Sequence, residues 1–239
     1  MSGAPGSGKS TIAQHLARSL GGTVINHDLL KTFFLDTQHA FDEAAKLAYR
    51  LDWVLAEDLL KQGHSVVIDS VCNYAELVER GEGMAREYGV LYRFVECRVE
   101  EMEVLEGRLR GRVAMRSQRK GIECPPMDAG EVLSVDYRAV LREKMENPVR
   151  PVGGAIVVDS SVSVEVSVEE ILGSKKPQRF PSPPPPPSPK TGGRPGTRAH
   201  ARQLEKESLL ASPLKGCRTV PAVPVCFGVT RRTPNNKNP

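Results

Sequence analysis

Gly3-Ala4-Pro5-Gly6-Ser7-Gly8-Lys9-Ser10 satisfies G-x-x-x-x-G-K-[ST] at every position. Directly behind it, Ile12, Ala13, Leu16, Ala17 and Leu20 recur at helical spacing and Gly21-Gly22 follows, which predicts a helix over about 10–20. A glycine-rich loop that opens a helix is the context this motif requires. Glycines let consecutive amide N–H groups turn inward around phosphate oxygens, and the helix N-terminus adds partial positive charge. The lysine is the discriminating residue. A turn that merely caps a helix accounts for the glycines and Ser10 but not for Lys9. The loop therefore predicts a nucleoside triphosphate, with Lys9 at the β- and γ-phosphates and the Ser10 hydroxyl on Mg2+. The candidate nucleotide-binding set is Gly3, Ala4, Pro5, Gly6, Ser7, Gly8, Lys9, Ser10 and Thr11.

Working outward, Thr23-Val24-Ile25 reads as a short strand, and Ser65-Val66-Val67-Ile68-Asp69 as one buried on both faces. Further strands are expected over 91–97 and 155–159. Helices are expected near 42–61, 75–88, 99–112, 130–146 and 167–172, the first with Ala44, Leu47, Leu51, Val54, Leu55 and Leu59 inward. Strands alternating with helices predict a three-layer α/β sandwich around a parallel sheet, the P-loop NTPase architecture. One feature departs from it. Such folds place a central strand ahead of the loop, and only Met1 and Ser2 stand there. An open centre would leave two neighbouring strands with unpaired edges, so the expectation is a start upstream of Met1 and a truncated first strand.

The 239 residues carry a formal charge of +4, but the average conceals two unlike parts. Residues 177–239 hold 14 of the 19 prolines and eleven Lys/Arg against Glu205 and Glu207, a net of +9; residues 1–176 come to −5. The basic balance belongs to the tail and gives no ground for a nucleic-acid-binding domain. The organisation read from this is a nucleotide-binding domain over 1–173 and a disordered tail over 174–239. Its proline run at 183–187 favours polyproline II and suits SH3-type or WW-type grooves. No run reaches membrane-span length and no secretory signal is visible. Five cysteines without a Cys-x-x-Cys pair fit reduced thiols in the cytoplasm.

Asp69 ends an apolar run and so puts a carboxylate at the ligand-binding edge of a parallel sheet, suited to supporting Mg2+. Ser70, not Glu, follows it, which favours phosphoryl transfer over hydrolysis. No Asn-Lys-x-Asp guanine signature occurs, so ATP is the expected nucleotide. Asp28 stands at the matching edge of the preceding strand. It reads equally as the base for an acceptor hydroxyl or as an N-cap ahead of Leu29-Leu30-Lys31. Arg108, Arg110, Arg112, Arg116, Arg119 and Lys120 form an acid-free basic stretch. Arg108, Arg112 and Arg116 would share a face if the helix persisted, making either an arginine lid over the nucleotide or a solvated or RNA-contacting basic face. Arg108 and Arg112 are the catalytic candidates of that lid, and Arg116 its nucleotide-binding one. Trp53 reads as packing, and His15, His39 and His64 lack partners at metal spacing.

The segments 2–11, Ile25-Asn26-His27-Asp28 and 63–69 resemble the small ATP-dependent phosphotransferases related to polynucleotide 5′-kinase and zeta-toxin kinases. Leu105-Glu106-Gly107-Arg108 through Arg112 and Asn147-Pro148-Val149-Arg150-Pro151 resemble them too, over about 1–172 in all. The resemblance implies a five-stranded parallel sheet of adenylate-kinase type. It implies Lys9 and Ser10 on ATP and Mg2+, Asp69 supporting the metal, and Arg108 and Arg112 in a lid. Asp28 would activate a hydroxyl of a small molecule or of a nucleic-acid 5′ end. The other readings are a non-catalytic ATP-binding adaptor with an interaction tail, and an ATP hydrolase.

Overall fold

Apolar β runs alternate with amphipathic helices throughout the computed structural model, which describes residues 1–130, 135–174 and 226–227. In chain order the elements are α1 (Lys9–Leu20), β1 (Thr23–Asn26), α2 (His27–Asp36), α3 (Phe41–Lys61), β2 (Ser65–Asp69) and α4 (Ala75–Tyr88). There follow β3 (Val95–Arg98), α5 (Met102–Gly111), α6 (Tyr137–Glu146), β4 (Ile156–Asp159), α7 (Val164–Gly173) and a two-residue β5 (Cys226–Phe227).

All strand pairs are parallel. β1 lies on β2 from Thr23↔Val66 to Asn26↔Asp69, and β3 on β4 from Val95↔Ile156 to Arg98↔Asp159. Met1 and Ser2 stand between the two ladders. The Met1 amino group donates to Ile68 O at 2.9 Å. Ser2 N donates to Val95 O at 2.7 Å, and Ser2 O accepts from Cys97 N at 2.9 Å. The phosphate-loop motif therefore leaves the sheet at the edge where β1, β2, β3 and β4 all end, as ligand sites do in parallel sheets.

Alternation along β2 sorts the two faces. Val67 joins Ile12, Leu16, Val95, Val158 and Ile171 beneath α1 and α7. Val66 and Ile68 turn the other way, to Ile25, Ala56, Leu60 and Met84 beneath α3 and α4. These two clusters make the three-layer sandwich. Tight turns follow the sequence: Gly21 and Gly89 close α1 and α4 in the left-handed region, with φ of 58° and 65°.

Several elements differ from the sequence reading. The basic helix stops at Gly111, and Arg112 is extended at φ −98° and ψ 153°, so Arg108, Arg112 and Arg116 do not share a helical face. α6 begins at Tyr137, capped by the Asp136 carboxylate, rather than near 130. α7 begins at Val164, capped by Ser163. α2 adds a helix over His27–Asp36 for which apolar periodicity predicts no span. In α3 the fully buried line is Ala44, Ala48, Asp52, Ala56 and Leu60, while Val54 is 62% exposed. The leucines at 47, 51, 55 and 59 flank that line half-buried, because small side chains let the helix approach the sheet and α2 closely. Apart from β5, the disordered-tail reading and its SH3 or WW docking lie outside the described residues. Among the described residues no helix is long and apolar enough to cross a membrane.

Candidate active site

The motif loop is held in a shape that only glycine accepts. Gly3, Gly6 and Gly8 have φ of 133°, 85° and 82°. A Cβ on Gly3 would stand 2.3 Å from Cys97 O, and one on Gly6 3.0 Å from Leu105 O, so space as well as backbone angle excludes side chains. Gly8 starts α1 with no side chain capping the first turn, which leaves its N–H groups open to an anion. The Ser7 hydroxyl is buried without a partner. Lys9 is 8% exposed, and its Nζ donates to Ala4 O at 2.8 Å across the loop. Burial pushes that ammonium down from the usual lysine range, and the Asp69 carboxylate chiefly opposes the shift. A desolvated lysine beside a cup of unused donors fits a polyphosphate.

A cleft of about 1210 Å3 opens in front of this loop. Pockets for a single drug-sized ligand occupy roughly 300–1,000 Å3, so there is room for a nucleotide together with a small second reactant. Asp69 is buried on the cleft wall at the end of β2. α5 packs over the loop through Leu105 and Leu109. It brings an Arg108 guanidinium nitrogen within 3.8 Å of where a Cβ on Gly8 would sit, and Arg108 also donates to Ser160 O at 2.9 Å. Arg112 lines the cleft and donates to Arg119 O at 3.0 Å, its Nε buried and unpaired. Burial lowers the Arg112 pKa, and the charge of Asp28 opposes this.

Asp28 faces the same cleft from α2. The helix cap is Asn26, whose side chain accepts from Leu29 N at 3.1 Å. Asp28 instead sits in the first turn, and its Oδ2 accepts from Gln118 Nε2 at 2.7 Å. Ser117, which is buried, donates to Asp28 O at 2.9 Å and shares a hydrogen bond with Thr32 at 2.9 Å. The segment after α5 is thereby pinned to α2. Arg116 is not among the residues lining the cleft. It donates to Leu35 O at 3.0 Å and pairs with Asp36 at 2.9 Å and Asp128 at 2.7 Å.

Sequence reasoning missed a second layer behind Asp28. His27 Nδ1 lies 2.7 Å from the Asp52 carboxylate, both groups buried, and the His27 ring sits 4.1 Å from that of Tyr49. Burial raises the Asp52 pKa, and the hydrogen bond to His27 opposes this. Tyr49 in turn donates to Val71 O at 3.0 Å. Lys31 rests 3.3 Å from the centroid of Phe41, its pKa pushed down by burial to about 8. The available signal was an acid on the four-residue line of alanines in α3, which hydropathy alone places outside the core. Trp53 packs in the cluster beneath α3 and α4, as expected.

Residues 1–123, just over half of the chain, match the family described as AAA domain. The chain belongs to this AAA-domain family. A solved structure of a candidate kinase from Chloroflexus aurantiacus J-10-fl is 21% identical, with a TM-score of 0.53 over 69% of this chain and 90% of that one. At that identity it establishes a shared fold. A sugar kinase from Janibacter sp. HTCC2649 is 19% identical with a TM-score of 0.48, covering 71% of this chain and 88% of its own. A gluconokinase from Sinorhizobium meliloti 1021 is 18% identical with a TM-score of 0.44, covering 72% and 86%. No curated protein matches the sequence.

Proposed function

We propose that the chain is an ATP-dependent phosphotransferase that moves the γ-phosphoryl group of Mg-ATP to a hydroxyl of a small molecule or of a nucleic-acid 5′ end. Its place within the AAA-domain family would then be beside the polynucleotide 5′-kinase and zeta-toxin group, in the reducing cytoplasm. The observation that carries this reading is a single cleft. Lys9 and the glycine loop line it together with the Asp28 carboxylate, which accepts from Gln118.

The roles follow from the chemistry. Main-chain N–H groups of the loop, Lys9 and the start of α1 hold the triphosphate. Ser10 and Asp69 would hold Mg2+, which neutralises phosphate charge when bound. Asp28 accepts the hydroxyl proton as the acceptor oxygen attacks in line, and Arg108 and Arg112 balance charge on the transferring group. With Ser70 after Asp69, no carboxylate follows on the strand to activate water. A small acceptor suits the site better than a long nucleic acid. Arg116 is neutralised by Asp36 and Asp128, and Arg110 by Glu106, so the basic stretch is not a free phosphate-tracking stripe.

The test is transfer of labelled γ-phosphate from Mg-ATP to sugars, nucleosides and 5′-hydroxyl oligonucleotides. Acceptor-dependent labelling is the expected result. Steady phosphate release that no acceptor alters would make the protein a hydrolase; binding of Mg-ATP without any turnover would make it an adaptor.

A further inference from the structure

Lys31 stands on α2 three residues after Asp28, which puts the two on one helical face, and both line the cleft. Its ammonium lies 3.3 Å from the centroid of the Phe41 ring, and the residue is 8% exposed. The ring offers that ammonium its electron-rich face on one side only. Lys9, Arg108 and Arg112, the cations assigned to the nucleotide, each donate to a main-chain carbonyl. Lys31 is different. Among the described residues its Nζ has no hydrogen-bond acceptor, and no carboxylate stands within ion-pair distance of it. Asp28 and Asp42 act on it only from farther off, and Asp28 turns Oδ2 to Gln118.

A buried ammonium with unused donors is unfavourable unless something fills them. The lowering of its pKa by burial reflects that cost. We infer that Lys31 receives an anionic group of the acceptor, a carboxylate or a phosphate, so that the acceptor is a small hydroxy compound bearing such a group. This rests on the phosphotransferase reading above, with Asp28 as its base. Three residues of helix advance about 4.5 Å, so the charged group lies a few bonds from the reacting hydroxyl. The ammonium also offsets repulsion between that group and the Asp28 carboxylate. Lys31 takes no part in the bond changes. The acceptor oxygen bonds to the γ-phosphorus as the bond to the β,γ-bridging oxygen breaks, ADP leaves, and the hydroxyl proton goes to Asp28.

Matched acceptors test this on the full-length chain: glycerol against glycerate and glycerol 3-phosphate, ribose against ribonate and ribose 5-phosphate, adenosine against adenosine 3′-phosphate. With labelled Mg-ATP, an anionic member should show kcat/KM at least about tenfold above its neutral partner, because hydrogen bonds to charged groups are the stronger class. Comparing carboxylate with phosphate members then separates the two sources of charge. In Lys31→Met that ratio should fall to about one, and a ratio cancels any general loss of activity. Equal use of neutral and anionic members by the wild type, or a ratio that survives the substitution, would overturn the inference and leave the phosphotransferase reading standing. If no compound is labelled, it is that reading that falls. Calorimetry on protein saturated with Mg2+ and a non-hydrolysable ATP analogue then decides the inference. Anionic members should bind at least about tenfold tighter than neutral ones in the wild type and not in Lys31→Met. No such difference would overturn it. A severalfold loss of Mg-ATP affinity in Lys31→Met would also overturn it, by assigning the ammonium to the nucleotide.

Discussion

The two walls of the cleft are assembled by opposite means. The phosphate wall is one unbroken stretch, Gly3 to Ser10, and its ligating groups are mostly main-chain amides fixed by backbone angles. The acceptor wall gathers Asp28 and Lys31 from α2, Tyr49 from α3, and Gln118 from ninety residues beyond Asp28, with Asp52 of α3 buried behind it. The first is local geometry and the second is tertiary packing. Substitutions in the first should strike nucleotide binding, and substitutions in the second should strike transfer or stability.

Lys9→Ala should have the largest effect. It removes the only ammonium placed over the loop from within the motif, and Mg-ATP affinity measured by calorimetry should fall at least about a thousandfold. The thermal midpoint should hold or rise, because the variant no longer buries a cation. Affinity retained within a few-fold in a folded variant would mean that the loop does not grip the phosphates. Asp28→Asn tests the opposite wall. Its shape and the Gln118 contact region stay, but the proton acceptor is gone, so turnover should fall by about 10^2–10^4. Mg-ATP affinity should stay within about twofold. Full turnover would remove Asp28 from the role of base.

Asp52→Ala asks whether the layer behind the acceptor wall is structural. Removing one partner of a buried hydrogen-bonded pair leaves the other unsatisfied, at a cost of about 1–3 kcal/mol. Denaturant unfolding should show a loss of that order, with nucleotide affinity of the remaining folded protein unchanged. A loss below about 1 kcal/mol would show that His27 and Asp52 do not depend on one another.

This division also explains what a linear reading recovers. The loop, β2 and α4 rest on glycine placement and contiguous apolar runs, so Ser65–Asp69 and Ala75–Tyr88 were legible to the residue. In α3 the same rule picks Ala44 correctly and then the leucine line, whereas the buried line continues through Ala48 and Ala56 one position along, with Asp52 between them. Hydropathy ranks side chains by transfer from water, and close helix packing selects for size. Asp28 could be read as cap or base because either role needs only a carboxylate; Asn26 one turn-start earlier takes the cap. Arg116 shows the converse case. Its spacing from Arg108 and Arg112 predicts a shared face only while the helix continues, and its actual partners, Asp36 and Asp128, are distant or lie past an irregular segment.

Lys31 offers the subtlest test, and it distinguishes the walls by pH. Its pKa in the folded protein is about 8, below the ordinary lysine value, because burial disfavours the ammonium; Asp28 and then Asp42 partly compensate. Below about pH 8 both folded and unfolded chains carry the charge, and the fold bears the full desolvation penalty. Above pH 8 the folded protein sheds this proton while the unfolded chain retains it up to the ordinary lysine range, so the penalty fades as pH rises. Lys31→Met removes the penalty at every pH. The stability gained by the variant over wild type should therefore be largest at pH 7 and shrink steadily toward pH 10, read from paired denaturant titrations. Mg-ATP affinity should change little across the same range if Lys31 serves the acceptor wall alone. A stability difference independent of pH would mean that water reaches the ammonium above Phe41 and that this wall is more open than its packing indicates.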